Sequence, residues 1–134
     1  MCIDSVGSYF TGGGNGPYYG IRPRNTAALS LEVLLAVMVS RVAEFWVRSA
    51  SSTFRGGYLS FGKRFIEGIP VPRLTEKQER EIASLAARLV GRRDATATDE
   101  WRTLLNRLYA RYNLKSDHVA LIEAATKGCS QPTF

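Results

Sequence analysis

Cysteine and histidine are almost missing from this 134-residue chain. Cys2 and Cys129 stand near its two ends, and His118 is its single histidine. There is no Cys-x-x-Cys pair and no Cys/His ligand set. That excludes the usual four-ligand zinc site and argues against a disulfide framework. A reducing, cytoplasmic setting is the expectation. Long apolar runs are missing too. The most apolar stretch, Leu29–Val47, is interrupted by Glu32, Arg41 and Glu44. Its longest uncharged run, Val33–Ser40, falls far short of the ~20 apolar residues that span a bilayer. The N-terminus shows no basic segment followed by an apolar run, so neither a signal peptide nor a membrane partner is expected.

Catalytic signatures are equally scarce. Gly12, Gly13, Gly14 and Gly16 do not fit the dinucleotide-binding Gly-x-Gly-x-x-Gly pattern, because position 17 is Pro. No Gly-Lys-(Ser/Thr) follows them, so a hairpin turn or loop is the better reading of Thr11–Pro17. His118 has Asp117 beside it but no Ser or Cys context that would make a triad. It reads as a surface residue in the first turn of a helix. No (Asn/Asp)-Pro-Pro-(Tyr/Phe) tetrapeptide and no nuclease-like spacing of acids and Lys occurs. The expectation is a chain with no catalytic residue, metal or cofactor site of its own.

What is present is a core and a positive charge. The hydrophobic fraction of 45% suits one soluble globular domain. Eighteen cations against twelve anions give a net charge of +6, and Arg outnumbers Lys heavily. Residues 1–75 carry eight cations and four anions, so the first half is the more polarised. An anionic partner, nucleic acid first, fits that balance, and a solvated basic surface fits it equally.

Periodicity places one helix from Ser30 to about Ala50. Ser30 is its cap and Glu32 lies in the first turn, where the helix dipole favours an anion. Leu31, Leu34, Leu35, Met38, Val42, Phe45 and Trp46 form a heptad-like face. Val33, Val37, Val39 and Val47 make the other side apolar, so the helix should pack on two sides. Arg41, Glu44 and Arg48 share its polar stripe. Short strands are expected at Ile3–Val6, Ser8–Phe10, Tyr18–Ile21 and Tyr58–Phe61. A helical turn is expected within Phe61–Glu67, and an extended Ile69–Pro72 follows, since each Pro keeps its predecessor out of the α region. Three helices complete the chain. The first carries a Thr75-x-x-Gln78 capping box, a stripe of Ile82, Leu85, Ala86, Leu89 and Val90, and Gly91 as its stop. The second starts at Thr98, with Trp101, Leu104, Leu105, Leu108, Tyr109 and Tyr112 on one face. The third is capped by Ser116, runs through Val119, Leu121, Ile122 and Ala125, and ends by Gly128. The expected fold class is α+β: a small sheet of short strands packed on a buried helix (residues 1–74), then a helical C-terminal part (residues 75–134).

The densest segment is Ser51–Leu74. Phe54-Arg55-Gly56-Gly57-Tyr58 puts an Arg and a Tyr on either side of a tight turn, and Phe61, Lys63, Arg64 and Phe65 follow. Arg forks to guanine edges or phosphates, Lys meets phosphate as a point charge, and glycines let backbone approach DNA closely. The same residues also fit a core turn, with Phe54, Tyr58 and Phe65 buried and the cations merely solvated.

Leu31–Phe45 followed by Ser51–Pro72 resembles the C-terminal specificity (target-recognition) domain of TaqI-like N6-adenine DNA methyltransferases and of fused restriction–modification enzymes. It is also similar to parts of type I specificity subunits. In that family an Arg-Gly-Gly-Tyr turn precedes a phrase that Lys63, Phe65, Ile66, Glu67, Ile69, Pro70, Val71 and Pro72 fill here. The likeness covers about Tyr9 to Arg92, and Leu108-Tyr109 and Leu114 stand where the family has a Leu-Tyr-Gly-Leu-like phrase. One departure is Val39-Ser40-Arg41, where the family often has Leu-Asn-Ser. The resemblance implies a non-catalytic DNA-recognition module, with Arg55, Tyr58, Lys63, Arg64, Arg22 and Arg24 at duplex DNA. It also implies an upstream methyltransferase domain of a parent protein, where S-adenosylmethionine would bind. The alternative is a helical protein–protein docking module of the same kind of complex, without direct DNA contact.

Overall fold

The structure, a computed structural model, describes residues 21, 29–52, 62–90, 92 and 95–127. These form six helices: α1 (Leu31–Met38), α2 (Arg41–Ala50), α3 (Lys63–Ile66), α4 (Glu76–Leu89), α5 (Ala95–Arg111) and α6 (Ser116–Ala125). There is no strand among the described residues. The α+β expectation is therefore corrected to a helical fold. Among the described residues no sheet packs on the first helices; α1 lies against α4, and α4 against α5. Helices cover the faces that a sheet was expected to cover. The strands read at Ile3–Val6, Ser8–Phe10 and Tyr58–Phe61 lie outside the described residues, as does most of Tyr18–Ile21.

The single helix expected from Ser30 to Ala50 is two helices, broken at Ser40. Ser40 adopts an extended backbone (φ −72°, ψ 158°) and caps α2 by accepting the Ala43 N–H. Its Oγ also donates to the Val37 carbonyl at 2.7 Å, which satisfies the end of α1. One hydroxyl thus serves both helix ends, and Ser competes with the helical ladder in this way because its oxygen reaches local backbone. Ser40 is buried, so neither end could turn to water instead.

Both faces contribute to the core: Leu35 and Val42 of the heptad-like side are buried, and the valine side supplies the most fully sealed positions. Val33, Val37 and Val47 are fully buried, whereas Leu31 and Trp46 are more than one-third exposed. Val33, Ala36 and Val37 pack with Ile82, Ala86 and Leu89 of α4 and with Trp101, Leu104, Leu105 and Leu108 of α5 in one cluster. Small residues on α1 permit this close approach to α4. The expected polar stripe is present as ion pairs: Glu44 lies 3.8 Å from Arg41 and 3.1 Å from Arg48.

The C-terminal helices follow the expected pattern with shifted ends. The Thr75–Gln78 capping box is present in both directions. On α4, Val90 is exposed rather than part of the stripe. Helix α5 begins at Ala95, three residues before Thr98. It ends in a Schellman motif: Asn113 takes a positive φ of 55°, and Leu114 N–H reaches the Tyr109 carbonyl at 3.3 Å. Helix α6 is capped by Lys115, with no side-chain hydrogen bond, so Ser116 is its first residue and not its cap. Leu121 faces outward at 59% exposure, leaving Ile122 as the buried anchor of α6. Gly91 and Gly128, read as helix stops, lie outside the described residues.

Candidate nucleic-acid interface

The described residues that fill the family-like phrase, 63–72, form one docked unit. Gly62 opens α3, and Glu67 and Ile69 close the turn through hydrogen bonds to Lys63 and Ile66 carbonyls. The chain then runs without helix or strand through Pro70–Thr75 into α4, with Thr75 itself extended. Inward and outward residues intermix along this strap. Phe65, Ile69 and Pro72 are buried, while Lys63, Arg64, Glu67, Pro70, Val71 and Arg73 are exposed.

Two aromatic side chains hold the strap, and both hold its main chain. Trp46 Nε1 of α2 donates to the Phe65 carbonyl at 3.1 Å. Tyr112, at the end of α5, donates its hydroxyl to the Pro70 carbonyl at 2.8 Å. Burial pushes the Tyr112 phenol well above its ordinary pKa, which keeps it a donor. Gly68 lies under the indole: a Cβ there would stand 2.7 Å from Trp46 Cζ2. Only glycine permits that approach without moving the ring.

The two described candidate site residues sit on the first turn of α3. Lys63 is 76% exposed and pairs with Glu67 at 3.4 Å. The Arg64 guanidinium lies 4.4 Å from the Phe65 ring centroid, a cation–π contact. Its Nη2 also donates to Ser52 Oγ at 3.3 Å. That contact ties α3 to the end of α2, so the two flanks of segment 53–61 are brought side by side. Exposed contacts of this kind are weak and exchange readily for a phosphate. Arg55, Tyr58, Arg22 and Arg24 lie outside the described residues. Sequence reasoning missed Trp46, Gly68 and Tyr112 as supports and Arg73 as an exposed neighbour. Gly68 beside the Pro-rich stretch was a local signal. Nothing local joins Tyr112 to Pro70.

A second polar group lies where α2, α5 and α6 meet. Arg41 donates to the Thr126 carbonyl, and the Tyr109 hydroxyl donates to Glu123. Burial, then the Glu123 hydrogen bond and charge, raise the Tyr109 phenol, with Arg41 opposing. This group joins α2 to the end of α6 and α5 to α6. His118 is exposed in the first turn of α6. Among the described residues no cluster of His, Cys, Asp and Glu could hold a metal ion. None of the described helices is long and apolar enough to cross a membrane. Set against known proteins, the chain matches no family model, and no curated protein or solved structure is significantly similar to it.

Proposed function

We propose that the chain is a non-catalytic DNA target-recognition module of a restriction–modification N6-adenine DNA methyltransferase. In this reading a partner domain of the parent protein binds S-adenosylmethionine and performs methyl transfer, and this module contacts duplex DNA. The observation that carries the reading is the strap. The residues filling the family-like phrase dock as a unit and leave Lys63, Arg64 and Arg73 on the surface. The net charge of +6 supports an anionic partner. Arg55 and Tyr58 precede α3 directly in sequence and belong to the same proposed contact, with Arg22 and Arg24 as a further basic pair.

Fluorescence anisotropy with a labelled duplex tests this. The isolated chain should bind with a Kd of ~10⁻⁴–10⁻⁶ M and lose affinity steeply as salt rises. Methyl transfer from labelled S-adenosylmethionine should stay at background. Absent or salt-insensitive binding contradicts the reading.

A second reading, the helical docking module without DNA contact, is favoured by one observation. The outer face of α6 presents Leu121 among exposed Ala120, Ala124 and Ala125. If that face docks on the parent's other domain, Leu121→Asp should abolish the association and leave DNA affinity unchanged.

A further inference from the structure

We propose that Trp46 and Tyr112 are positioning residues that clamp the Lys63–Arg73 strap by its backbone and so fix its exposed side chains as the contact surface. The inference rests on the DNA-recognition reading for the use of that surface, and on geometry alone for the clamp. Both aromatic donors end on carbonyls, Phe65 O and Pro70 O, at the two ends of the turn. Neither of these bonds engages a strap side chain. The inward positions, Phe65, Ile69 and Pro72, are apolar and buried. Of the outward side chains, Lys63 and Glu67 pair with each other, and Arg64 lies over Phe65 and reaches Ser52. Such a frame keeps its shape whatever stands at 63, 67, 71 and 73. A recognition surface needs that property, since its outward residues must answer to the ligand and not to the fold.

The two anchors come from elements far apart in sequence. Trp46 belongs to α2 and Tyr112 to the end of α5, which is set in place by the Asn113 turn. The strap is therefore referenced to the helical core at two points. Gly68 sits against Trp46 between them, so the indole both donates a hydrogen bond and limits how close the strap can come. A cation held this way meets a phosphate with less ordering left to lose than one on a free segment.

The test uses the full chain and three variants. Trp46→Phe and Tyr112→Phe each delete one donor and keep a ring. Gly68→Ala keeps both donors and forces the strap from the indole. Amide hydrogen exchange is read at Glu67 and Ile69, whose N–H groups close the turn. Amides inside α4 and α5 serve as the internal control for global folding. Each donor deletion should speed exchange at Glu67 and Ile69 about five-fold, with the α4 and α5 amides unchanged. Gly68→Ala should do the same by a different route. Unchanged exchange in the double variant Trp46→Phe/Tyr112→Phe overturns the clamp. DNA affinity is read on the same samples. Replacing Arg64 by Ala in the otherwise unaltered chain should make the salt slope shallower by about 1, the share of a single neutralised phosphate. In the double variant the same replacement should have little further effect. Faster exchange with an undiminished Arg64 effect overturns the positioning role. Absence of duplex binding by the unaltered chain overturns the DNA reading and the use of the strap, while exchange still decides the clamp.

Discussion

The α1–α4–α5 layer and the α3 strap are attached to the molecule in different ways. In the layer, side chain meets side chain: Val33, Ile82, Leu104 and Leu108 are essentially sealed from solvent. Their identities decide the fold, because a close-packed interior tolerates little change in volume. At the strap, the buried Phe65, Ile69 and Pro72 are supplemented by bonds from side chain to main chain, through Trp46 and Tyr112. Backbone carbonyls are the same in every residue, so these two bonds place no demand on the outward side chains, of which Arg64 alone reaches across to Ser52 of the α2 end. Lys63, Arg64 and Arg73 lie in the second region. Tyr109 lies at the α6 edge of the first and Tyr112 where it meets the second, and burial pushes both phenols upward.

The largest effect that would break this contrast is at its apolar end. Leu104→Ala or Leu108→Ala should cost ~2–5 kcal/mol, because each leaves a cavity between α4 and α5. Urea denaturation followed by circular dichroism measures it, and a cost below about 1 kcal/mol would show the layer to be loosely packed. Ser40→Ala comes next. It removes the α2 cap and leaves the buried Val37 carbonyl without its hydroxyl partner, for a loss of ~1–2 kcal/mol. An unchanged denaturation midpoint would mean that the break between α1 and α2 has another cause.

Alkaline stability compares the two regions directly. Both tyrosines have folded-state pKa values raised above the ordinary phenol value of about 10. The folded state therefore holds protons that the unfolded chain releases, and stability falls as pH rises above about 10. Below that pH both contributions are fully present. Tyr109→Phe should flatten the alkaline fall by relieving the α5–α6 junction, and Tyr112→Phe by relieving the strap. A fall unaffected by either variant would contradict the burial of both phenols. The smallest effect is Lys63→Ala, which should change stability by less than about 0.5 kcal/mol, since its pair with Glu67 is exposed.

Much of the first region was legible in the sequence. Thr75-x-x-Gln78 announced the start of α4, and the stripe Trp101, Leu104, Leu105, Leu108 and Tyr109 is the buried face of α5. Where apolar residues occupied both faces, periodicity could not choose between them. That is why α1 buries its valines and exposes Leu31. It also hid the break at Ser40, since Met38 and Val42 continue the helical spacing across it. The strap was legible as a Pro-bounded break between helices but not as a docked segment. Its anchors come from 19 and 42 residues away in sequence, and no local pattern carries contacts of that range. The expected sheet failed for a related reason. Nothing local in Leu31–Met38 says that its apolar face meets another helix, and among the described residues α1 packs on α4.

On the DNA-recognition reading, the strap's exposed cations meet the phosphates of the duplex. The most direct measurement is the slope of log affinity against log salt concentration for the full chain and its Lys63→Ala/Arg64→Ala variant, with melting temperature recorded on both. The variant should form a weaker complex, with a slope shallower by about 0.9 for each phosphate it no longer neutralises, and an unchanged melting temperature. Equal affinity and equal slope in the two proteins would contradict the reading.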